Sequence, residues 1–188
     1  MRARSIVCEP MTVSIRSATR SDASAIAAIY GAHVRDGYAT FEVDPPDADD
    51  FAHRIESRPR LPWLVAEQGN SVIGFAYASR FKERAAYRWT AEVTVYLAPA
   101  ARGQGIGRAL YGLLLPAVAA LGYVTACAGI AWPNEASVGL HEAFGFVPVG
   151  VYRDVGFKLG QWRDVRWYQR RLIDPPPADP AEPREWAG

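Results

Sequence analysis

The chain has 188 residues, 49% hydrophobic and 12% aromatic, which is enough for one domain with a sizeable core. Its 21 Lys and Arg against 20 Asp and Glu leave a formal charge of +1, excluding a general electrostatic pull towards nucleic acid or anionic membrane; any anion site must be local. Cys8 and Cys127 are too few for a disulfide framework and form no metal-ligand spacing with His33, His53 and His141, a composition that suits the cytoplasm.

The N-terminal stretch MRARSIVCEP is basic, but its apolar run, Ile6 to Cys8, falls short of a signal peptide's ~7–15 residues. No stretch reaches the ~18 apolar residues of a membrane helix. Residues 1–12 read as an extension outside the fold, with Met11 as an alternative start. Val13, Ile15 and Ser17 then alternate with polar positions, predicting a strand. The period changes at Ala23, Ile26, Ala27, Tyr30 and Val34, which share one face of a helix that Ser21 or Asp22 can cap. TFEVDPPDADDFAHRIES predicts a second helix entered through a Pro turn, with Phe51 and Ile55 four apart. LPWLVAEQ and SVIGFAYASRF, separated by Gly69 and Asn70, read as a hairpin.

RWTAEVTVYL alternates Trp89, Ala91, Val93, Val95 and Leu97 against Thr90, Glu92, Thr94 and Tyr96, a strand that runs into a Gly-rich turn. After the turn, Ile106, Ala109, Leu110, Leu113, Leu114, Ala117, Val118 and Leu121 predict a helix with one broad apolar stripe. Pro116 is expected to kink or shorten it, at a cost of ~3 kcal/mol in a helix interior. TACAGIAW predicts a strand, PNEASVGLHEAFG a short helix stopped at Gly145, and VGVYRDVGFK with QWRDVRWYQRRL a closing hairpin turning at Leu159-Gly160. From Asp174 the chain carries five prolines and little to bury, so residues 174–188 are expected to form an extended or disordered tail to a folded domain over 13–173. The order β-α-α-β-β-β-α-β-α-β-β implies a mixed sheet with helices on both faces and no internal repeat.

Gly103, Gly105 and Gly107 sit between the strand and the helix, where unpaired helix N-terminal amides can hold an anion and missing Cβ atoms let it approach. Arg102 and Arg108 add charge at the rim. A tight strand-to-helix connection explains the same glycines equally well. The spelling excludes the dinucleotide fingerprint, since Arg108 or Leu110 stands where the third Gly belongs, and the nucleotide-triphosphatase loop, which needs Gly-Lys-Ser/Thr.

ARGQGIGRAL resembles the Arg/Gln-x-x-Gly-x-Gly/Ala loop of the GNAT N-acetyltransferase superfamily, with Arg102, Gly105 and Gly107 in the motif positions. RFKERAAYRWTAEVTVYL upstream and PNEASVGLHEAFGFVPVGVYRDVGFKLGQWRDVRWYQRRL downstream are similar to the phosphinothricin and methionine sulfoximine acetyltransferase branch. That resemblance implies an α/β GNAT fold, a mixed, mostly antiparallel sheet with a splayed central strand and helices on both faces. It also implies an acetyl-CoA-dependent transfer to the primary amine of a small amino-acid-like acceptor, by direct attack in a ternary complex, with no metal, in a homodimer. A protein N-terminus as acceptor and a non-catalytic acyl-CoA-binding module are the alternatives.

By the same resemblance, loop amides from Arg102 through Gly103, Gln104, Gly105, Ile106, Gly107 and Arg108 hold the CoA diphosphate. Val95, Tyr96 and Leu97 pair with the pantetheine arm. Glu92 is the implied general base; the alternative is a solvated or ion-paired strand carboxylate. Alternation places it on the face of Thr94 and Tyr96, unless a β-bulge breaks the parity. Asn134, Ser137 and His141 share one helix face and can line the thiol channel. His141 can return a proton near neutrality, or be a hydrogen-bonded structural residue; Asn134 can merely cap its helix. Arg80, Lys82, Arg84 and Arg88 gather around Tyr87, a basic cluster suited to a carboxylate-bearing acceptor, or a solvated edge. Phe41 and Trp63 are pocket walls or core. Cys127, in a buried strand with no base near it in sequence, is a poor candidate for an acyl intermediate.

Overall fold

The structure, a computed structural model, describes residues 12–188, so the expected extension up to Met11, with Cys8, lies outside the described residues. Eleven main elements follow the predicted order: β1 (Val13–Ser17), α1 (Ala23–Asp36), α2 (Ala48–Glu56), β2 (Trp63–Gln68), β3 (Ser71–Arg80), β4 (Thr90–Leu97), α3 (Ile106–Ala120), β5 (Thr125–Ala131), α4 (Glu135–Ala143), β6 (Val147–Lys158) and β7 (Gln161–Arg171). The strands form a single sheet in the order β1-β2-β3-β4-β5-β7-β6. Every neighbouring pair is antiparallel except β4 and β5.

Local chemistry explains most boundaries. Asp47 and Asp50 cap α2 reciprocally, each carboxylate accepting from the other's amide at 2.9 and 3.0 Å. The cap expected for α1 is not made: Asp22 turns back to accept from both guanidinium nitrogens of Arg16 at 2.8 Å and from the Thr19 amide. The arginine competes better for the carboxylate because the pair is bidentate and charge-assisted. At the closing hairpin Leu159 and Gly160 both have positive φ, 51° and 74°, the pattern of a two-residue turn that matches strand twist.

Pro116 neither ends nor shortens α3, which continues to Ala120. It stands on the exposed side of the helix with Gly112, the residue four earlier, so water can satisfy the carbonyl that Pro116 leaves without a donor. The buried stripe of α3 also runs differently from the predicted one. Ile106, Leu110, Tyr111, Leu114, Leu115 and Val118 face in, whereas Ala109 and Leu113 are exposed.

The sheet separates two cores. On one face α3 packs on Ala91 and Val93 of β4; on the other α1 and α2 pack on an aromatic group of Phe51, Trp63, Phe75 and Tyr96. Trp63 is core, stacked on Tyr77 at 4.1 Å. Residues 174–188 have neither helix nor strand, yet they bond to the domain: the Arg184 and Trp186 amides donate to Leu121 and Arg60 carbonyls at 2.8 Å, and Trp89 Nε1 donates to Ala181. Trp186 packs against the α3-side core.

Candidate active site

The sheet opens in its middle. β4 and β5 are paired only from Thr90 to Glu92 against Thr125 to Cys127. Beyond that rung β4 stays with β3 as far as Leu97, while β5 stays with β7 as far as Ala131. The two inner edges diverge, and a cleft of about 760 Å³ fills the gap. Val93 to Leu97 form one wall and Ala128 to Ala131 the other; the end of α1 and residues 37–41 cover one end, and the starts of α3 and α4 the other.

At the helix end, Gly103 and Gly105 have φ of 73° and 77°, a region costing other residues roughly 1–2 kcal/mol. Gly105 is the N-cap of α3 and supplies no side chain, so the first-turn amides of Ile106, Gly107 and Arg108 keep no intrahelical acceptor. A Cβ built at Gly103 or Gly105 meets nothing within 4 Å, so the loop surface is open. Gln104 does not point outward for a ligand; its Nε2 donates to the Ala100 carbonyl at 2.6 Å and holds the turn. Arg102 lines the cleft, while Arg108 lies over the Phe144 ring. These residues fit a diphosphate, the anion a helix start is built to hold. The inner edge of β4, running from Val95 through Leu97, fits an extended amide-bearing arm. Of its acceptors, the Leu97 carbonyl is taken by His33 Nε2 at 3.0 Å, which fixes a proton on that nitrogen.

Glu92 stands at the last paired rung. The β3–β4 register runs without a shift from Arg80 to Gly74, so no bulge breaks the parity and Glu92 shares its face with Thr94 and Tyr96. Burial pushes its carboxyl above the usual range, and the charge of Lys82 opposes this. Across the cleft, His141 is 3% exposed. Its Nδ1 lies 2.7 Å from the Ser137 carbonyl, which can only accept, so Nδ1 carries the proton and Nε2 accepts from the Tyr111 hydroxyl at 3.0 Å. Burial holds His141 below its ordinary value, so the ring is neutral. Burial likewise pushes the Tyr111 phenol well up. Asn134 caps α4 by accepting from the Ser137 amide at 3.1 Å, and both also line the cleft.

Comparison with known proteins decides the family. Residues 15–167 match the model of the acetyltransferase (GNAT) domain. The chain belongs to the GNAT acetyltransferase family. It is 42% identical over 171 residues to a phosphinothricin N-acetyltransferase of Alcaligenes faecalis, covering 85% of this chain and 82% of that one. It is 33% identical over 162 residues to an L-methionine sulfoximine/L-methionine sulfone acetyltransferase of Salmonella typhimurium, covering 85% and 95%. The crystal structure of a GNAT phosphinothricin acetyltransferase from Sinorhizobium meliloti, in complex with acetyl-CoA, superposes with a TM-score of 0.87 at 39% identity, covering 92% and 95%. The chain is therefore an N-acetyltransferase that uses acetyl-CoA as co-substrate, and its splayed sheet is the GNAT fold.

Within this GNAT cleft the structure brings together Glu92, His141, Asn134, Ser137, Arg102, Gly107, the β4 edge and Phe41. Of the basic cluster, Lys82 bears on the cleft through its charge on Glu92. Arg80, Lys82, Arg84 and Tyr87 line a separate hollow of about 380 Å³, with Arg88 and with Glu182 and Pro183 of the tail. Arg80 pairs with Glu83 at 3.8 Å and Arg88 pairs with Glu182. The Lys82 Nζ also lies 5.9 Å from the ring centre of Trp167, a cleft residue. Tyr111, His33, Tyr38 and Trp167 belong to the cleft and are not among the site residues expected from the sequence. A stripe spaced Gly107, Tyr111, Leu114, Val118 would have turned Tyr111 inward. Cys127 is buried, and burial together with Glu92 pushes its thiol up to about 11. Among the described residues no group of His, Cys, Asp or Glu could hold a metal ion.

Proposed function

We propose that this GNAT enzyme acetylates the primary amine of a small amino-acid-like acceptor of the phosphinothricin or methionine sulfoximine type, with Glu92 as general base. The observation that carries this is the position of Glu92: a half-buried carboxyl with a raised pKa at the vertex where β4 and β5 part, facing a cleft large enough for a small acceptor. Acetyl-CoA, when bound, supplies the acetyl group as a thioester; the glycine-turn amides and the β4 edge would hold it.

An aliphatic ammonium titrates near ~10, so it must lose its proton inside the cleft. Glu92 takes that proton at a carboxylate oxygen, directly or through one water, and its raised pKa brings it closer to the working pH, where bases are most effective. The proton-returning group lies on the opposite face of β4. As the C–S bond breaks, Tyr111 gives its hydroxyl proton to the leaving CoA thiolate and recovers one through His141 Nε2, and the proton that Glu92 passes on to solvent closes the balance. The pair is thus a relay with Tyr111 at its exit. The Cys127 thiol, pushed up to about 11, is almost wholly protonated near neutrality, which favours direct attack over a cysteine acyl intermediate.

We also infer a homodimer built on the β6–β7 hairpin. Val147, Val149, Val155, Phe157 and Trp162 are all at least half exposed on this edge. Isolated soluble chains rarely leave so contiguous an apolar surface or so long an edge strand uncovered. The low cysteine count supports a cytoplasmic location.

The deciding assay measures acetyl transfer from acetyl-CoA to phosphinothricin, methionine sulfoximine, methionine sulfone and a short peptide, for wild type and Glu92→Gln. Amino-acid-like acceptors should outpace the peptide, and the substitution should lower kcat about 10²–10³-fold with the KM for acetyl-CoA held. Unchanged turnover in Glu92→Gln, or transfer to the peptide alone, overturns the reading.

A further inference from the structure

Residues 174–188 lie beyond the stretch that matches the GNAT domain, and no step of the mechanism uses them. A polar, Pro-rich tail of this kind has little to bury and is expected to stay in solvent. Instead it is fastened to three separate parts of the domain. The Arg184 amide donates to the Leu121 carbonyl at 2.8 Å and its guanidinium to the Ala120 carbonyl at 2.5 Å, so the tail satisfies carbonyls that the end of α3 leaves without donors. The Trp186 amide donates to the Arg60 carbonyl ahead of β2 at 2.8 Å, while its ring packs on the α3-side core. The third attachment is to the start of β4: the Ala181 carbonyl accepts from Trp89 Nε1 at 2.8 Å, and Glu182 pairs with Arg88.

That third attachment bears on the site. Residues 81–89 link β3 to β4, and Lys82 through Arg88 are all exposed, so the link has little buried surface of its own to hold it. At its front end Phe81 packs edge-on against Trp167 of the cleft wall at 5.8 Å, and the Lys82 Nζ lies 5.0 Å from the Phe81 ring centre. Among the described residues Lys82 is the charge that acts on Glu92; the other groups coupled to that carboxyl, Cys127, Tyr77 and Tyr111, are held protonated by burial. At its back end the link is held by the tail. Between the two ends, Glu182 and Pro183 wall the same hollow that Lys82 lines. An exposed ion pair such as Arg88–Glu182 adds little by itself, so the weight falls on the Trp89 bond and the seat of Trp186.

We propose that residues 181–186 are a strap that holds the β3–β4 link in place, with Trp89 and Trp186 as positioning residues that set Lys82 against Glu92. This gives the tail a share in acceptor affinity, and it rests on the reading of Glu92 as the base. With the strap released, the link and Lys82 move towards solvent, Phe81 loosens from the cleft wall, and the Glu92 carboxyl loses the charge that opposes its burial. The acetyl-CoA groove, built on the far end of β4 and the start of α3, is left intact.

Two substitutions in the full chain separate the strap from a tail that is only structural. Trp89→Phe keeps the ring and removes the bond to Ala181, and Trp186→Ala removes the seat. Assayed with methionine sulfone and acetyl-CoA from about pH 5.5 to 9, each should raise the acceptor KM roughly 3–10-fold and hold the acetyl-CoA KM within about twofold. Each should also move the acidic limb of kcat/KM up by roughly half a pH unit, because the lysine charge that lowers Glu92 has moved away. In a Lys82→Met background the same substitutions should add less than about twofold, since the charge they displace is already gone. A fall in Tm with the acceptor KM and the pH limb unchanged, or full additivity with Lys82→Met, overturns the strap and leaves Glu92 standing as the base. A lower acceptor KM in either variant also overturns it, because the tail then obstructs the site. Turnover in Glu92→Gln equal to wild type removes the base and the strap together. If Trp186→Ala does not fold, Trp89→Phe decides.

Discussion

Replacing Tyr111 by Phe removes one oxygen from the most enclosed part of the cleft wall and tests the relay directly. Tyr111 is 0% exposed and His141 3%, so water cannot take the place of the lost hydroxyl at His141 Nε2. The ring stays, still edge-on to His141 at 5.2 Å and to Phe144 at 5.8 Å, so almost no packing is lost. What remains is a buried acceptor without its donor, worth about 1–3 kcal/mol. For a domain of this size that is a fall of roughly 2–12 °C in Tm. Circular dichroism melts at neutral pH measure it. Because Tyr111 is also the exit of the relay, kcat should fall about 10–100-fold with both KM values held within about twofold. The double variant with His141→Leu should melt less far below the sum of the two single changes, since both remove one bond. A Tyr111→Phe enzyme that melts and turns over like wild type refutes the reasoning. Strict additivity in the cycle would show that the 3.0 Å contact carries no coupling.

Two other outcomes follow from the same chemistry. His141 has a folded pKa below its unfolded value of ~6.5, so the unfolded state takes the proton first and stability falls as pH drops through about 6.5, by up to about 1.4 kcal/mol per pH unit until the folded ring also titrates; urea titrations at pH 7.5 and 5.5 should show this loss and His141→Gln should flatten it, an unchanged slope counting against the buried neutral ring. Trp162→Asp, at a position 61% exposed on the β6–β7 hairpin, should shift the sedimenting species from twice the chain mass to the chain mass and make Tm independent of protein concentration, and a wild-type monomer at micromolar concentration removes the inferred dimer.

Much of this arrangement is legible in the chain because it is local. The alternation from Trp89 to Leu97 sets both the strand and the face of Glu92, since an unbroken register preserves parity. The glycines at 103 and 105 announce a left-handed turn, and φ is positive at both. What is hidden depends on partners far away in sequence. Tyr111 lies beside His141, thirty residues on, and its inward turn depends on how α3 seats against α4. Phe41 packs where a Cβ at Gly156 would collide with its ring, and buried Lys158 donates to the Thr40 carbonyl at 2.8 Å across 118 residues. No periodicity in either segment contains that information. The basic run from Arg80 to Arg88 is adjacent to the Glu92 strand in sequence, yet the chain beyond β3 turns through a short 3₁₀ segment at Ala85–Tyr87 and carries those side chains to another hollow. Adjacency along the chain is a poor guide to which side of a sheet a loop serves.

The parting of β4 and β5 is the feature from which the rest follows. Parallel pairing stops after three rungs although both strands continue for four or five residues more. Left as bare edges, these backbone groups would lie beside water or invite another strand, the hazard sheets usually suppress. Here the gap is roofed by residues 37–41 and floored by α3 and α4, so the edges face a cleft instead. An edge inside a cleft can be completed only by an extended ligand bearing its own amides, and the α3 amides at its end select one that finishes in an anion. The parting begins just past the Glu92–Cys127 rung, so a carboxyl buried enough for its pKa to rise faces the gap. Its raised pKa and its exposure to the cleft thus share one place in the sheet, and the strand geometry that builds the cleft also sets the proposed base.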